Sequence, residues 1–175
     1  MPQRIEKVVV PILLSSIDHP PSVQDDAVFG GPGTNCDDAR RRRPDLLWLG
    51  SDRIVSVEID EHSHVDRTSV CETGKMHDQF VSWQQLLGHV PVFYLRLNPD
   101  EFDGAYTLLE DRVRAVANRV NHLLSMDLTD HLTDLAKYSA LAPHVEYFYY
   151  HSKAQHHIEA VRGASDSFVF IGSEV

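Results

Sequence analysis

A short apolar run, a turn-forming segment and an alternating run follow one another in the first third of the chain. The apolar run is Leu46–Leu49, the turn-forming segment is Gly50–Arg53, and Ile54–Asp60 is rich in β-branched residues and has a period of two. This succession predicts a β-hairpin. The alternation places four residues of the second strand on one face, Ile54, Ser56, Glu58 and Asp60.

The predicted register brings acidic residues together at the open end of the hairpin. If the turn takes four residues, Leu47 lies opposite Ser56 and Asp45 lies opposite Glu58, with Asp60 on the same face. Opposed residues of antiparallel strands have Cβ atoms about 4.5–5.5 Å apart. Carboxylates this close repel one another unless a cation neutralises them. Because oxygen-rich sites suit hard cations, the pattern indicates a site for Mg²⁺, Mn²⁺ or Ca²⁺.

The same residues carry a resemblance to a nuclease superfamily. Pro44-Asp45, a hairpin and then Glu58-x-Asp60 resembles the core of the PD-(D/E)xK, or restriction-endonuclease-like, nucleases. With His64 four residues after Asp60, followed by a helix, a Leu-Gly-x-x-Pro-Val segment and a strand, the chain is similar to the branch of very-short-patch mismatch repair endonucleases and related homing endonucleases. The resemblance covers about residues 40–100.

This resemblance implies a fold and an activity. The expected fold is α/β, with a restriction-endonuclease-like core in which a mixed sheet, built on the hairpin, is flanked by α-helices. Residues 1–175 form one domain, with the core motifs in 40–100 and a helical and β part in 101–175. The implied activity is Mg²⁺-dependent hydrolysis of phosphodiester bonds by an endonuclease acting on double-stranded DNA, as in DNA repair, with Mn²⁺ as a substitute metal.

The resemblance also assigns roles to residues. Asp45 and Glu58 hold the metal ion, and Asp60 is a further ligand or orients the attacking water. His64 is the expected general acid or base because imidazole titrates near neutral pH. A lone histidine in a polar loop is otherwise an ordinary solvated side chain, and His62 is the second choice.

One departure from the superfamily concerns a lysine. Many members carry Lys two residues after the Glu, where this chain has Asp60. Lys75 or Arg67 could reach in as a substitute, and Lys75 is a candidate for contact with nucleic acid. The spacing instead favours a surface ion pair between Glu72 and Lys75, three residues apart on a helix.

Charge leaves two explanations open for the run Arg40–Arg43. The net charge of −10 argues against a broadly basic nucleic-acid-binding surface but allows a local one. Arg41, Arg42 and Arg43 could therefore grip backbone phosphates. Alternatively, the run is a solvated turn whose arginines pair with neighbouring acids.

The remaining pattern predicts helices and strands around the hairpin. Ser69–Gly88 is predicted as a helix with one apolar stripe, Met76, Phe80, Trp83 and Leu87, packed on the sheet, and with Glu72, Lys75 and Gln79 on another face. The other elements are a strand over 90–97 beside the hairpin, helices over 105–125, 127–141 and 152–162, and strands over 145–150 and 167–171.

Two positions in these elements stay open. Residues 5–17 are either a short strand or a helix limited by Pro11. If they form the leading helix of the resembled nucleases, Glu6 is the candidate for one more acid, although a solvated surface position is the simpler interpretation. Arg96 either faces the substrate groove or pairs with an acid at the end of its strand.

The cysteine count and the apolar content set the expected class of protein. Two cysteines do not make a disulfide framework, so we expect a reducing, intracellular compartment, cytoplasm or nucleus. No signal peptide and no apolar run long enough to span a membrane is evident. Two rival interpretations remain. One is a zinc site, with Cys36, His62, His64 and Cys71 as ligands. The other is an inactive nuclease-like module that binds nucleic acid or a protein partner, which the missing lysine and the acidic charge favour.

Overall fold

The computed structural model describes residues 5–24, 44–61, 69–102, 107–128, 142–150 and 158–160, with single positions at 154, 162, 169 and 170. Within this part of the chain, six strands form one mixed sheet in the order β1 to β6, and helices cover both faces. The strands are β1 (Val23–Gln24), β2 (Leu46–Leu49), β3 (Ile54–Ile59), β4 (Val92–Leu97), β5 (His144–Phe148) and β6 (Val169–Phe170). The helices are α1 (Glu6–Ser16), α2 (Ser69–Leu87) and α3 (Leu109–Ser125).

The predicted hairpin and its register are confirmed. β2 and β3 are antiparallel, with Leu49 opposite Ile54 and Leu47 opposite Ser56. The N–H of Gly50 donates to the carbonyl of Arg53 at 2.9 Å and closes the turn. β4 lies beside the hairpin, as predicted, and runs parallel to β3, and β5 and β6 continue in parallel. The carboxyl ends of β3, β4 and β5 therefore meet at one edge of the sheet.

Residues 6–16 form a helix, which decides between the two structures that the sequence left open. Val9, Val10, Leu13 and Ile17 follow helical spacing and are buried, so α1 packs against α3 and the sheet. Pro11 lies inside the helix. The packed apolar stripe therefore outweighs the backbone hydrogen bond that proline removes.

Helix α2 covers the opposite face of the sheet. Met76 and Trp83 are buried and Phe80 and Leu87 pack partly buried beside them, as the predicted stripe requires. Gly88, with φ of 83°, ends the helix. The prediction that Glu72 and Gln79 lie on another face is wrong, because both are buried. Their positions continue the stripe at i+3 and i+4 spacing, and Glu72 meets the charged side chain of Arg96 on β4.

Some predicted elements lie wholly or partly outside the described residues. The predicted helix over 127–141 is one of them. Only 154, 158–160 and 162 of the predicted helix over 152–162 are described, and 158–160 and 162 are α-helical. In the described part of the chain, no helix is long and apolar enough to cross a membrane.

Candidate functional site

Asp45 and Glu58 lie close together at the open end of the hairpin. The N–H of Ile59 donates to Asp45 Oδ2 at 2.6 Å, which fixes the Asp45 carboxyl against the end of β3. Burial raises the pKa of Asp45 well above its usual value, and the negative charge of Glu58 raises it further. Lys75 and the hydrogen bond from Ile59 act in the opposite direction. Ionised Asp45 is therefore crowded by a like charge.

Lys75 reaches Glu58 from helix α2. Its Nζ lies 2.5 Å from Glu58 Oε2, and the two side chains are 10% and 6% exposed. Glu58 Oε1 is also buried, and no described residue offers it a hydrogen bond. The prediction of a surface pair between Glu72 and Lys75 is wrong, since Glu72 binds Arg96 instead. Lys75 therefore reaches the Glu58 carboxylate from α2, a contact that the sequence disfavoured.

Glu6 adds a third carboxylate near Asp45. It lies in the first turn of α1, is half-buried, and contributes to the raised pKa of Asp45. The backbone N–H of Glu6 donates to Glu61 Oε1 at 3.1 Å, which ties the start of α1 to the residue after Asp60. A solvated surface position therefore does not describe Glu6.

Asp60 binds other partners. Arg96 Nε lies 2.6 Å from Asp60 Oδ2, and the Tyr150 hydroxyl donates to the same oxygen. Burial opposes the charge of Arg96, but Asp60 and Glu72 raise the pKa of Arg96 well above its usual value. The pKa of Tyr150 is also raised, by burial and then by Asp60. Of the two open roles for Arg96, pairing with acids is the one observed.

The described residues contain no group of three or more His, Cys, Asp or Glu side chains arranged to hold a metal ion. The acids at this edge instead divide into two neighbouring sets. Asp45, Glu58 and Lys75 form the first, which we call the lysine cluster, with Glu6 beside it. The second, the arginine cluster, consists of Asp60, Glu72, Arg96 and Tyr150.

Tyr150 was not predicted as a site residue. It lies two residues after β5 ends at Phe148, at the edge where the parallel strands β3, β4 and β5 end. Side chains that follow strand ends at such an edge commonly build sites. Its place as the last residue of the predicted strand over 145–150 was therefore the signal that could have identified it.

Several predicted site residues lie outside the described residues. They are Arg41, Arg42, Arg43 and His64, together with Arg40, His62 and Arg67. Their roles in phosphate binding and acid–base chemistry stay predictions.

Cys71 corrects one expectation from the sequence. It forms a disulfide, although we expected the cysteines to be reduced. The only other cysteine in the sequence is Cys36, which lies outside the described residues. A cysteine in a disulfide has no thiolate to offer, so the zinc site that uses Cys71 does not fit this structure.

Comparisons with family models, with curated proteins and with solved structures find no match to this chain.

Proposed function

We propose that this protein is a metal-dependent endonuclease of the restriction-endonuclease-like class that hydrolyses phosphodiester bonds in double-stranded DNA. The observation that carries the proposal is the lysine cluster. Two adjacent carboxylates and one ammonium group meet at the end of a hairpin, in the order along the chain that the motif requires, except that the lysine comes from a helix.

The residues present fit a divalent cation. When Asp45, Glu58 and Glu6 are all ionised, they contribute three negative charges against the one positive charge of Lys75, so two negative charges are left. Glu58 Oε1 is buried without a partner among the described residues, and the ionisation of Asp45 is opposed by the charges beside it. Mg²⁺ is commonly held by one or two carboxylates and completed by waters and substrate phosphates. A set of three protein carboxylates is therefore not required.

In this mechanism Asp45 and Glu58 hold the cation, and each remaining residue has a separate task. When bound, the cation polarises the phosphate and promotes ionisation of the attacking water. Lys75 is positioned to offset the negative charge that develops on the phosphate oxygens. Ile59 fixes the orientation of Asp45 through its backbone N–H. His64 as general acid or base and Arg41–Arg43 as phosphate contacts complete the proposal as predictions from the sequence.

Plasmid cleavage tests the proposal. Purified protein is incubated with supercoiled DNA and Mg²⁺, Mn²⁺ or EDTA, and Asp45→Asn and Glu58→Gln are compared with Asp18→Asn and Glu110→Gln. The control residues are exposed acids away from the cluster. We expect cleavage with either metal, none with EDTA, and loss of at least about a hundredfold in the two site variants alone. Equal cleavage by Glu58→Gln and Glu110→Gln would refute the site.

The inactive-module alternative makes a different prediction in the same assay. Such a protein binds DNA or another partner without cutting DNA in any metal. If the parent cleaves RNA but not DNA, and Glu58→Gln abolishes that cleavage, the proposed catalytic site stands and the substrate is RNA.

A further inference from the structure

The lysine cluster and the arginine cluster are joined by a complementary arrangement of charges. Glu58 on β3 and Arg96 on β4 are partners in the parallel register, so a negative and a positive side chain lie next to each other on the sheet. On α2, Glu72 is negative and Lys75, three residues later, is positive, so the helix carries a second pair of opposite charges. Lys75 binds Glu58 and Glu72 binds Arg96, so two ion pairs cross from the helix to the sheet.

Arg96 is held in place from several sides. It is 2% exposed, and Asp60 binds its Nε at 2.6 Å while Glu72 binds its Nη2. Its guanidinium lies over the Tyr147 ring, 5.7 Å from the centroid, and Tyr150 donates to Asp60. One side chain therefore connects the ends of β3, β4 and β5 to the first turns of α2.

This arrangement sets the position of Lys75. Residues three apart on a helix lie on the same side, so fixing Glu72 also fixes the rotation and height of the turn that carries Lys75. A rotation that moved Glu72 toward Glu58 would bring like charges together and leave Arg96 with one acid fewer. The charge pattern thus favours one position and one rotation of α2 on the sheet.

We propose that Glu72, Arg96 and Asp60 are positioning residues that hold Lys75 against Glu58, and that Asp60 serves this role rather than that of a metal ligand. The catalytic value of the contact rests on the proposed function. The positioning itself is a property of the resting protein and is measurable without DNA.

Lysine-selective NMR provides the test. The sequence has four lysines, so the side-chain signal of Lys75 is identified by its loss in Lys75→Arg. We expect the parent Lys75 signal to be shifted and its ammonium protons to exchange slowly with water. In Glu72→Gln the signal should move to the position of exposed Lys7, whereas Glu110→Gln should leave it unchanged. An unchanged Lys75 signal in Glu72→Gln, with α2 intact by circular dichroism, would overturn the proposal.

Asp60→Asn separates the two roles of Asp60. A positioning residue predicts a changed Lys75 signal and Mn²⁺ binding that is weakened by no more than about threefold. A metal ligand predicts the opposite, an unchanged signal with binding weakened about tenfold or more, and that result would refute the assignment. Should Glu72→Gln fail to fold, Glu72→Asp keeps the charge but withdraws it by one methylene, and the same displacement of the Lys75 signal is expected.

Hydrolysis distinguishes this proposal from the proposed function. If the parent cleaves DNA, Glu72→Gln should lower kcat about 10–100-fold with little change in KM, and the loss should not add to that of Lys75→Met. If the parent does not cleave, the nuclease proposal fails, while the NMR result still decides whether Glu72 positions Lys75.

Discussion

Replacing Lys75 with methionine removes the positive charge but keeps most of the side-chain volume. Glu58 then stays buried, with its Oε2 deprived of a partner 2.5 Å away and its Oε1 already without one among the described residues. Breaking one side of a buried ion pair costs about 3–5 kcal/mol. For a chain of this size that corresponds to a fall in Tm of about 6–20 °C. The double variant Lys75→Met/Glu58→Gln should recover most of the loss, because no unpaired charge remains.

The same substitution has an opposite effect on metal binding. Lys75 and a divalent cation compete for the Glu58 carboxylate. Removing the ammonium group should therefore tighten Mn²⁺ binding about tenfold, equivalent to about 1.4 kcal/mol of binding free energy. Calorimetry and thermal unfolding, each with exposed Lys7→Met as the control, measure both effects. Lys75→Met that is as stable as Lys7→Met, or that binds Mn²⁺ more weakly, would refute the reasoning.

Three further predictions concern stability. Asp45→Asn should be more stable than the parent near pH 7.5 and equally stable below pH about 3.8. Because the pKa of Asp45 is raised in the folded protein, the parent loses stability as the pH rises through that pKa. The loss is about 1.36 kcal/mol for each unit by which the pKa is raised. Denaturant unfolding at both pH values measures this difference, and an Asp45→Asn variant less stable than the parent near pH 7.5 would contradict the prediction. Tyr150→Phe should lower the free energy of unfolding by about 1.5–3 kcal/mol, because Asp60 loses a hydrogen-bond donor. Tyr149→Phe is the matched control, and equal unfolding midpoints for the two variants would argue against the hydrogen bond from Tyr150 to Asp60. Reducing the Cys71 disulfide should lower the free energy of unfolding by about 2–4 kcal/mol, measured with and without a dithiol; an unchanged midpoint would count against the crosslink.

The hairpin and its acids were predictable because their pattern is local. Alternation and turn length fixed the register that places Asp45 beside Glu58, and only neighbouring residues were needed to derive it. The apolar stripe of α2 followed from spacing in the same way. These predictions needed no knowledge of which surface each element meets.

The partners of the charged residues were not predictable in this way. Helical spacing allowed Glu72 and Lys75 to pair with each other, and the choice of Arg96 and Glu58 instead depends on which sheet residues lie beneath α2. Asp60 and Tyr150 are 90 residues apart and meet only because β3 and β5 end at the same edge of the sheet. The helical state of residues 6–16 likewise depends on packing against α3, because the local pattern also allowed a short strand.

The central claim is that Glu58 and Asp45 share a divalent cation. Anomalous diffraction from crystals grown with Mn²⁺ tests it most directly, since the metal is located without reference to activity. We predict a peak about 2.0–2.3 Å from Glu58 Oε1 and bound also by Asp45, with Asp60 still paired to Arg96. A peak elsewhere in the molecule, or none at millimolar Mn²⁺, would contradict the claim.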